Sequence, residues 1–328
     1  MSIEATAFWS DHGQGQLIKE TLPEPAADEV RVKTLATGIS KGTETLVFRG
    51  DVPTSEHARM RAPFQVGAFT GPVKYGYCNV GRVEAGPAAW LDQRVFCLYP
   101  HQDCFVVPTS AVHAIPESIP TDRAVLIANM ETAVNGIADA GLDTAVNGGT
   151  LTNVTVIGAG VVGCLVAHVA RQHGHTVELV DTQTERRTIA DRLGVGFALP
   201  GNAQPERAVV IHTSATEAGL QQALTLTQQD GTVVEMSWFG NRSVSLPLGE
   251  GFHAKRLTLR SSQVGHIAPA RRASWTFQSR LAAAFDALAD PALDALITHR
   301  RPFGDLPEVM TELNTGAPEV LCHLIDYR

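Results

Sequence analysis

The 328-residue chain lacks a surplus of basic residues: 26 Lys and Arg stand against 34 Asp and Glu, a formal net charge of -8. No Lys/Arg run is long enough to follow a phosphate backbone, so a nucleic-acid partner is not expected. Cysteine is scarce. The five thiols, Cys78, Cys97, Cys104, Cys164 and Cys322, include no Cys-x-x-Cys pair. An odd, scattered set fits a reducing compartment and offers no zinc-finger-like cluster. The opening residues, MSIEATAFWSDHG, lack both a basic and an apolar leader region. A secretory signal is therefore not expected, and a cytoplasmic location is. The longest apolar run, Val154 to Ala170, falls short of the ~20 residues of a membrane span, so no membrane partner is expected. Internal repeats and low-complexity tracts are also missing.

What is present divides into two patterns, and a chain of this length suggests two domains. The N-terminal third is β-rich. EVRVKTLATGI alternates apolar and polar residues, the period of a half-buried strand, and NVGRVEAG, QRVFCLYP and DCFVVP are shorter strand candidates between turn residues. Between them, residues 49–72 form a long Pro- and Gly-bearing segment with Arg59 and Arg61; loops of that length are usually functional. From Thr121 the pattern changes. TDRAVLIANMETAVNGIADA reads as a helix, and strands NVTVI, TVELVD, RAVVIHTS and TVVEMSW then alternate with helices. One of these, EAGLQQALTLTQQDG, is expected to close at Gly231. RLTLRSSQV is the last strong strand, ASWTFQSRLAAAFDALAD an amphipathic helix, and the tail holds one more helix and a strand. The alternation predicts an α/β chain with a doubly wound parallel sheet.

Gly158-Ala159-Gly160-Val161-Val162-Gly163 is a G-x-G-x-x-G sequence that follows a strand, opens a helix and precedes Asp181 at the end of the next strand. Gly158 would allow the tight turn, Gly160 the approach of a pyrophosphate, and Gly163 the close packing of helix on sheet, with Val161 and Val162 at the helix start. Asp181 would accept hydrogen bonds from ribose hydroxyls and repel a 2′-phosphate, which favours NAD over NADP; Arg186 and Arg187 nearby work against that preference. The alternative is a Gly-rich turn that binds nothing.

ATGISKGTET, PVKYGYCNVGRVEAG, DQRVFCLYP and ANMETAVNGI lie in the order of the landmarks of the medium-chain dehydrogenase/reductase superfamily, which the chain resembles over nearly its whole length. The resemblance implies a β-rich GroES-like catalytic domain over residues 1–120 with 296–328, a Rossmann dinucleotide-binding domain over 121–295, and a homodimer paired through RLTLRSSQV. It also exposes departures. The positions of the family's catalytic zinc ligands fall on Ser40 or Lys41, on Tyr77, and on Ala128 or Asn129, none a normal zinc ligand, and the structural-zinc loop is missing. No zinc is therefore expected, Cys78, His101 and Cys104 being the weak exception. Ile39 to Glu44, I-S-x-G-T-E, is similar to the bacteriochlorophyllide hydroxyethyl dehydrogenases.

Without zinc, another group must handle the proton. The candidates are Tyr77 as donor, Lys41 as a cation lowering its pKa, and Ser40, Thr43 and His101. Against them stand ordinary roles: a packed aromatic for Tyr77, a solvated Lys41, a turn hydroxyl for Thr43, a satisfied surface carboxylate for Glu44 and a surface position for His101. The resemblance puts Thr132 near a nicotinamide and Glu131 near the ribose or substrate. The carboxyl ends of later strands point to Thr213, Ser214, Ser237, Trp238, Phe239 and Ser262 as cofactor contacts. Three functions follow: a zinc-free NAD-dependent secondary alcohol/ketone oxidoreductase for a bulky small-molecule substrate walled by Arg59 and Arg61, an NAD(P)H-dependent enone or quinone reductase, and a dinucleotide-binding protein without turnover.

Overall fold

The structure is a computed structural model that describes residues 3–143 and 151–328. It divides into two compact units, Met1–Ala128 with Ile297–Arg328, and Asn129–Leu296. The first unit begins with β1 (Ile3–Asp11), β2 (Gln14–Leu22), β3 (Glu29–Ile39), α1 (Lys41–Arg49) and the two-residue strands β4 (Val66–Gly67) and β5 (Val73–Lys74). It continues with β6 (Asn79–Ala85), β7 (Arg94–Cys97), β8 (Cys104–Pro108), β9 (Val112–Ala114) and α2 (Thr121–Ala124). Then come α3 (Ile127–Asp139), β10 (Asn153–Ile157), α4 (Val161–Gln172), β11 (Thr176–Val180), α5 (Arg187–Leu193), β12 (Gly196–Ala198) and β13 (Arg207–His212). The second unit ends with α6 (Glu217–Leu226), β14 (Thr227–Glu235), β15 (Thr258–Ser261) and α7 (Phe277–Ala287); β16 (Ile297–Pro302), α8 (Leu306–Thr315) and β17 (Cys322–Asp326) return to the first.

In the first unit the alternation of β3 is realised residue by residue: Val30, Val32, Thr34 and Ala36 point inward and are buried. β3 is the spine of a seven-stranded sheet, β16-β17-β3-β6-β7-β9, with β8 also paired to it. Val30, Val32, Val83, Val95, Phe105 and Val107 fill one core. Phe8, Phe48 and Ile325 pack with Leu306, Val309 and Leu313 of α8 in another. A smaller sheet runs β2-β1-β5-β4. Residues 49–72 remain largely irregular, as expected, holding one 3-10 turn and β4.

The second unit is a parallel six-stranded sheet in the order β12-β11-β10-β13-β14-β15. The order reverses between β10 and β13, the place where open α/β sheets bind ligands at their strands' carboxyl ends. Ile157, Val180, Val210, Leu220, Leu224 and Val233 form its core. RLTLRSSQV supplies β15, the exposed edge of this sheet. The chain thus has the α/β class and parallel sheet that its sequence predicts.

Some boundaries differ. The helix expected to reach Gly231 stops at Leu226, and Gly231 lies inside β14. Thr227 turns extended, its hydroxyl donating to Ala223 O at 2.7 Å in place of helix continuation, and Asp230 takes a positive φ of 57° where the register with β13 shifts. TDRAVLIANMETAVNGIADA is two helices, α2 and α3. No described helix is long and apolar enough to cross a membrane.

Candidate dinucleotide and proton-handling sites

The glycine-rich loop joins β10 to α4. Gly158 has φ 104°, and a Cβ there would lie 2.7 Å from Ser214 N, so the turn demands glycine twice over. A Cβ on Gly163 would overlap Gly158 O and stand 2.6 Å from Thr213 Oγ1. Gly160 is different: a Cβ there would meet nothing within 4 Å. Its lack of a side chain serves no internal contact, as expected of a surface that a ligand approaches. Gly160 is the N-cap of α4 and offers no side-chain cap; among the described residues, Val161, Val162 and Gly163 give their N–H groups to no protein acceptor. Free first-turn amides at the positive end of a helix dipole suit an anion such as a pyrophosphate.

Asp181 holds this loop. Its Oδ2 accepts Ala159 N–H at 2.7 Å and its Oδ1 accepts Gln183 N–H at 2.9 Å. Arg186 is buried, and its charge acts on Cys164, whose thiol burial nevertheless pushes up to about 12. Arg187 lies over the Phe197 ring at 5.0 Å.

At the neighbouring strand ends, Thr213 Oγ1 donates to the carbonyls of Ile157 and Gly158, tying β13 to the loop. Ser237 Oγ accepts Ala215 N–H at 3.0 Å. Ser262 Oγ donates to Asp139 Oδ2 at 2.7 Å, fastening the end of β15 to α3. Trp238 and Phe239 are half-buried, the latter stacked with His212. Thr132 is half-buried on α3. Glu131, read as a substrate or ribose contact, is instead committed to a buried ion pair with Arg280 at 3.0 Å; desolvation raises its pKa while Arg280 opposes the rise.

In the first unit, two readings need correction. His101, expected at the surface, is 1% exposed, and Glu44, weighed as a surface carboxylate, is 4% exposed. They face each other at 2.7 Å, His101 Nε2 to Glu44 Oε2, while His101 Nδ1 meets Thr37 Oγ1 at 2.7 Å. Tyr327 Oη stands 3.4 Å from the same threonine hydroxyl. Both ring nitrogens of His101 are thus engaged within the protein. Glu44 Oε1 accepts Ser40 N–H at 2.8 Å, so the carboxylate reaches back to the start of its own helix, α1.

The Tyr77 ring lies edge-on to that of Tyr75, centroids 5.9 Å apart. Burial first, then the neighbouring Tyr75, Cys78 and Glu44, hold the Tyr77 phenol well above its ordinary value, with Ser40 opposing. Lys41 Nζ donates to Gly316 O and Ala317 O, both at 2.6 Å, fastening α1 to the turn after α8. Thr43 is half-buried on α1. Arg59 pairs with Glu56 at 2.7 Å, and Arg61 donates to the carbonyls of Gln65 and Gly67, so its guanidinium shapes its own loop. Among the described residues, no three His, Cys, Asp or Glu side chains are grouped to hold a metal ion. Cys78 is buried, and desolvation and then Glu44 raise its thiol pKa.

Sequence reading missed the partners of these groups. Thr37 and Tyr327 carry no motif, and Glu235 and His212 lie inside apolar strands as isolated polar residues. Only their coming at strand ends, Glu235 as the last residue of β14 and His212 as the last of β13, could have singled them out.

The two units together have the fold of medium-chain alcohol dehydrogenases, a GroES-like unit and a Rossmann unit. Within the Rossmann unit, the family described as the alanine dehydrogenase/PNT C-terminal domain matches residues 126–225. The chain is 24% identical over 284 residues to the starvation-sensing protein RspB of Escherichia coli strain K12, covering 76% of this chain and 80% of that protein. A short chain alcohol dehydrogenase of E. coli CFT073, solved with NADH, superimposes with a TM-score of 0.76 at 19% identity over 99% of each chain. A proposed zinc-binding dehydrogenase of Sinorhizobium meliloti 1021, bound to NADP, gives 0.77 at 19% identity over 99% of each. Many structural neighbours are dehydrogenases of alcohols or polyols.

Proposed function

We propose that the chain is a nicotinamide-dinucleotide-dependent oxidoreductase that interconverts a bulky secondary alcohol and its ketone without zinc, taking NAD in preference to NADP. One observation carries the dinucleotide reading: the open face of Gly160 beside the unpaired amides of α4, on a loop pinned by Asp181. The bound cofactor would supply or accept the hydride. Val161, Val162 and Gly163 would donate to its phosphates. Asp181 keeps lone pairs beyond its two main-chain bonds, so it can accept ribose hydroxyls, while its charge opposes a 2′-phosphate.

The zinc-free reading is supported by Ser40 and Tyr77, two hydroxyl side chains at positions where the resembled family has metal ligands. Held protonated, Tyr77 can give a hydrogen bond to a carbonyl oxygen as negative charge develops there. The same property favours a second reading, reduction of a conjugated carbonyl, since that needs a donor to the oxygen and no base strong enough to deprotonate an alcohol. The exposed edge strand β15 supports a homodimer.

The test is a fluorescence titration with NADH and with NADPH, with zinc quantified by mass spectrometry on the same sample, then turnover with bulky secondary alcohols plus NAD and with enones plus NADH. Tighter NADH binding by zinc-free protein and turnover of alcohols is the expected result. Stoichiometric zinc overturns the metal-free reading, and NADPH preference overturns the role given to Asp181. Turnover restricted to enones moves the second reading to the front. Sedimentation tests the dimer.

A further inference from the structure

At the turn from β13 to α6, where the sequence points to Ser214 as a cofactor contact, lies an array suited to a different chemistry. Glu235 Oε2 stands 2.6 Å from His212 Nδ1, and His212 Nε2 stands 2.7 Å from Ser214 Oγ. The proton positions follow from the partners. Glu235 already takes Ser237 N–H on Oε1 at 2.6 Å and can only accept on Oε2, so the imidazole proton belongs on Nδ1. Nε2 is then a lone-pair acceptor aimed at the Ser214 hydroxyl. Thr216 Oγ1, 2.8 Å from Ser214 Oγ, completes the serine's bonding as a donor. His212 is fully buried and stacked with Phe239 at an interplanar angle of 17°, which fixes the ring; Ser214 is half-buried and so reachable.

The backbone has the matching form. Ser214 sits on a sharp strand-to-helix corner, and the next residue, Ala215, has a positive φ of 52° although it is not glycine. The first turn of α6 lies against the serine, so close that a Cβ on Gly219 would collide with Ser214 Oγ. In that turn the N–H groups of Glu217 and Ala218 have no protein acceptor among the described residues. Free first-turn amides of a helix can donate to an anion.

We propose that Ser214 is a nucleophile for acyl transfer, with His212 as its base and Glu235 as the residue that positions and polarises His212, giving the chain a hydrolytic activity on small esters. Ser214 Oγ attacks the ester carbonyl while His212 Nε2 takes its proton. The tetrahedral adduct expels the alcohol, which leaves with that proton, and the acyl group stays on Ser214. Water, deprotonated by the same nitrogen, then attacks the acyl-serine, releasing the carboxylic acid and restoring the hydroxyl. The step needs no cofactor.

The full chain is treated with a fluorophosphonate probe and the labelled peptide located by mass spectrometry; p-nitrophenyl acetate hydrolysis is followed in parallel. The expected result is a label on Ser214 and a burst of about one p-nitrophenol per chain, as acyl-enzyme accumulation produces. Ser214→Ala abolishes both. His212→Gln slows acylation by about 100-fold or more, the usual worth of a positioned base. Glu235→Gln lowers kcat with KM unchanged, a split that mere loss of folded protein would not produce. Because the wild-type chain alone locates the label, the assignment survives any variant that fails to fold. Labelling elsewhere, no label, or a hydrolysis rate unchanged in Ser214→Ala overturns the proposal.

Discussion

Two glycines three residues apart, Gly160 at the N-cap of α4 and Gly163 in its first turn, should respond to the same substitution in opposite ways. Gly160→Ala places its methyl in open space, so its melting temperature should match wild type while NADH affinity falls about tenfold or more, a loss of about 1.4 kcal/mol. Gly163→Ala forces a methyl into Gly158 O, so stability itself should fall by about 1–3 kcal/mol. Calorimetry and fluorescence titration of both variants check the pair; equal melting temperatures would contradict the packing. A second residue-scale prediction concerns Glu44. Replacing it by Ala leaves the buried His101 Nε2 without its 2.7 Å partner, and an unsatisfied buried polar group costs about 1–3 kcal/mol. Denaturant unfolding measures it. Histidine burial also sets a pH response. Desolvation, with His299 and Arg301 adding to it, lowers the His323 pKa to about 4. In the unfolded chain it titrates near 6.5. Protons therefore bind the unfolded chain first, and stability present above pH 6.5 is lost as pH falls towards 4, by about 2–3 kcal/mol. His168, buried with neither ring nitrogen bonded, is lowered for the same reason and adds to the slope. Melting temperatures of wild type and His323→Gln should run parallel above pH 6.5 and separate as pH falls towards 4, wild type losing stability that the variant keeps.

At the scale of elements, what the sequence showed and what it hid have separate physical causes. Strand β3 and the β10–loop–α4 unit were legible because each is written in local rules: period-2 burial in the first, glycine spacing after an apolar run in the second. The end of α6 was not, since Gly231 resembles a helix stop and only the pairing of β14 with β13 reveals that Thr227 has already turned extended. Nor was the Glu44–His101 pair, whose members are 57 residues apart and meet only through the sheet. Lys41 shows the reverse error: its place beside Ser40 in sequence suggested a shared site, while helix geometry sends its ammonium to Gly316 and Ala317. One element carries a full local signature that sequence reading passed over. α7 opens with a capping box in which Thr276 accepts Ser279 N–H and Ser279 accepts Thr276 N–H. Thr276→Ala should cost about 1 kcal/mol, seen as earlier exchange of the amides in the first turn of α7.

For the molecule as a whole, a dinucleotide that binds only the folded Rossmann unit should stabilise it by about 2.7 kcal/mol at a concentration one hundred times its dissociation constant. A thermal shift with NADH that disappears in Gly160→Ala would tie that stabilisation to the loop. An equal shift in both proteins would place the ligand elsewhere.

The thiols make a clock. Cys78, Cys97, Cys164 and Cys322 are buried, and desolvation raises the thiols of Cys97, Cys164 and Cys322 to about 12; Cys104, half-exposed, lies at about 11. A thiolate is the reactive form, so a chromogenic disulfide reagent offered to the native protein should register Cys104 slowly and the other four only when their surroundings open. The rate at which those four appear would count openings of the fold, in each unit separately, without any label having been added to it.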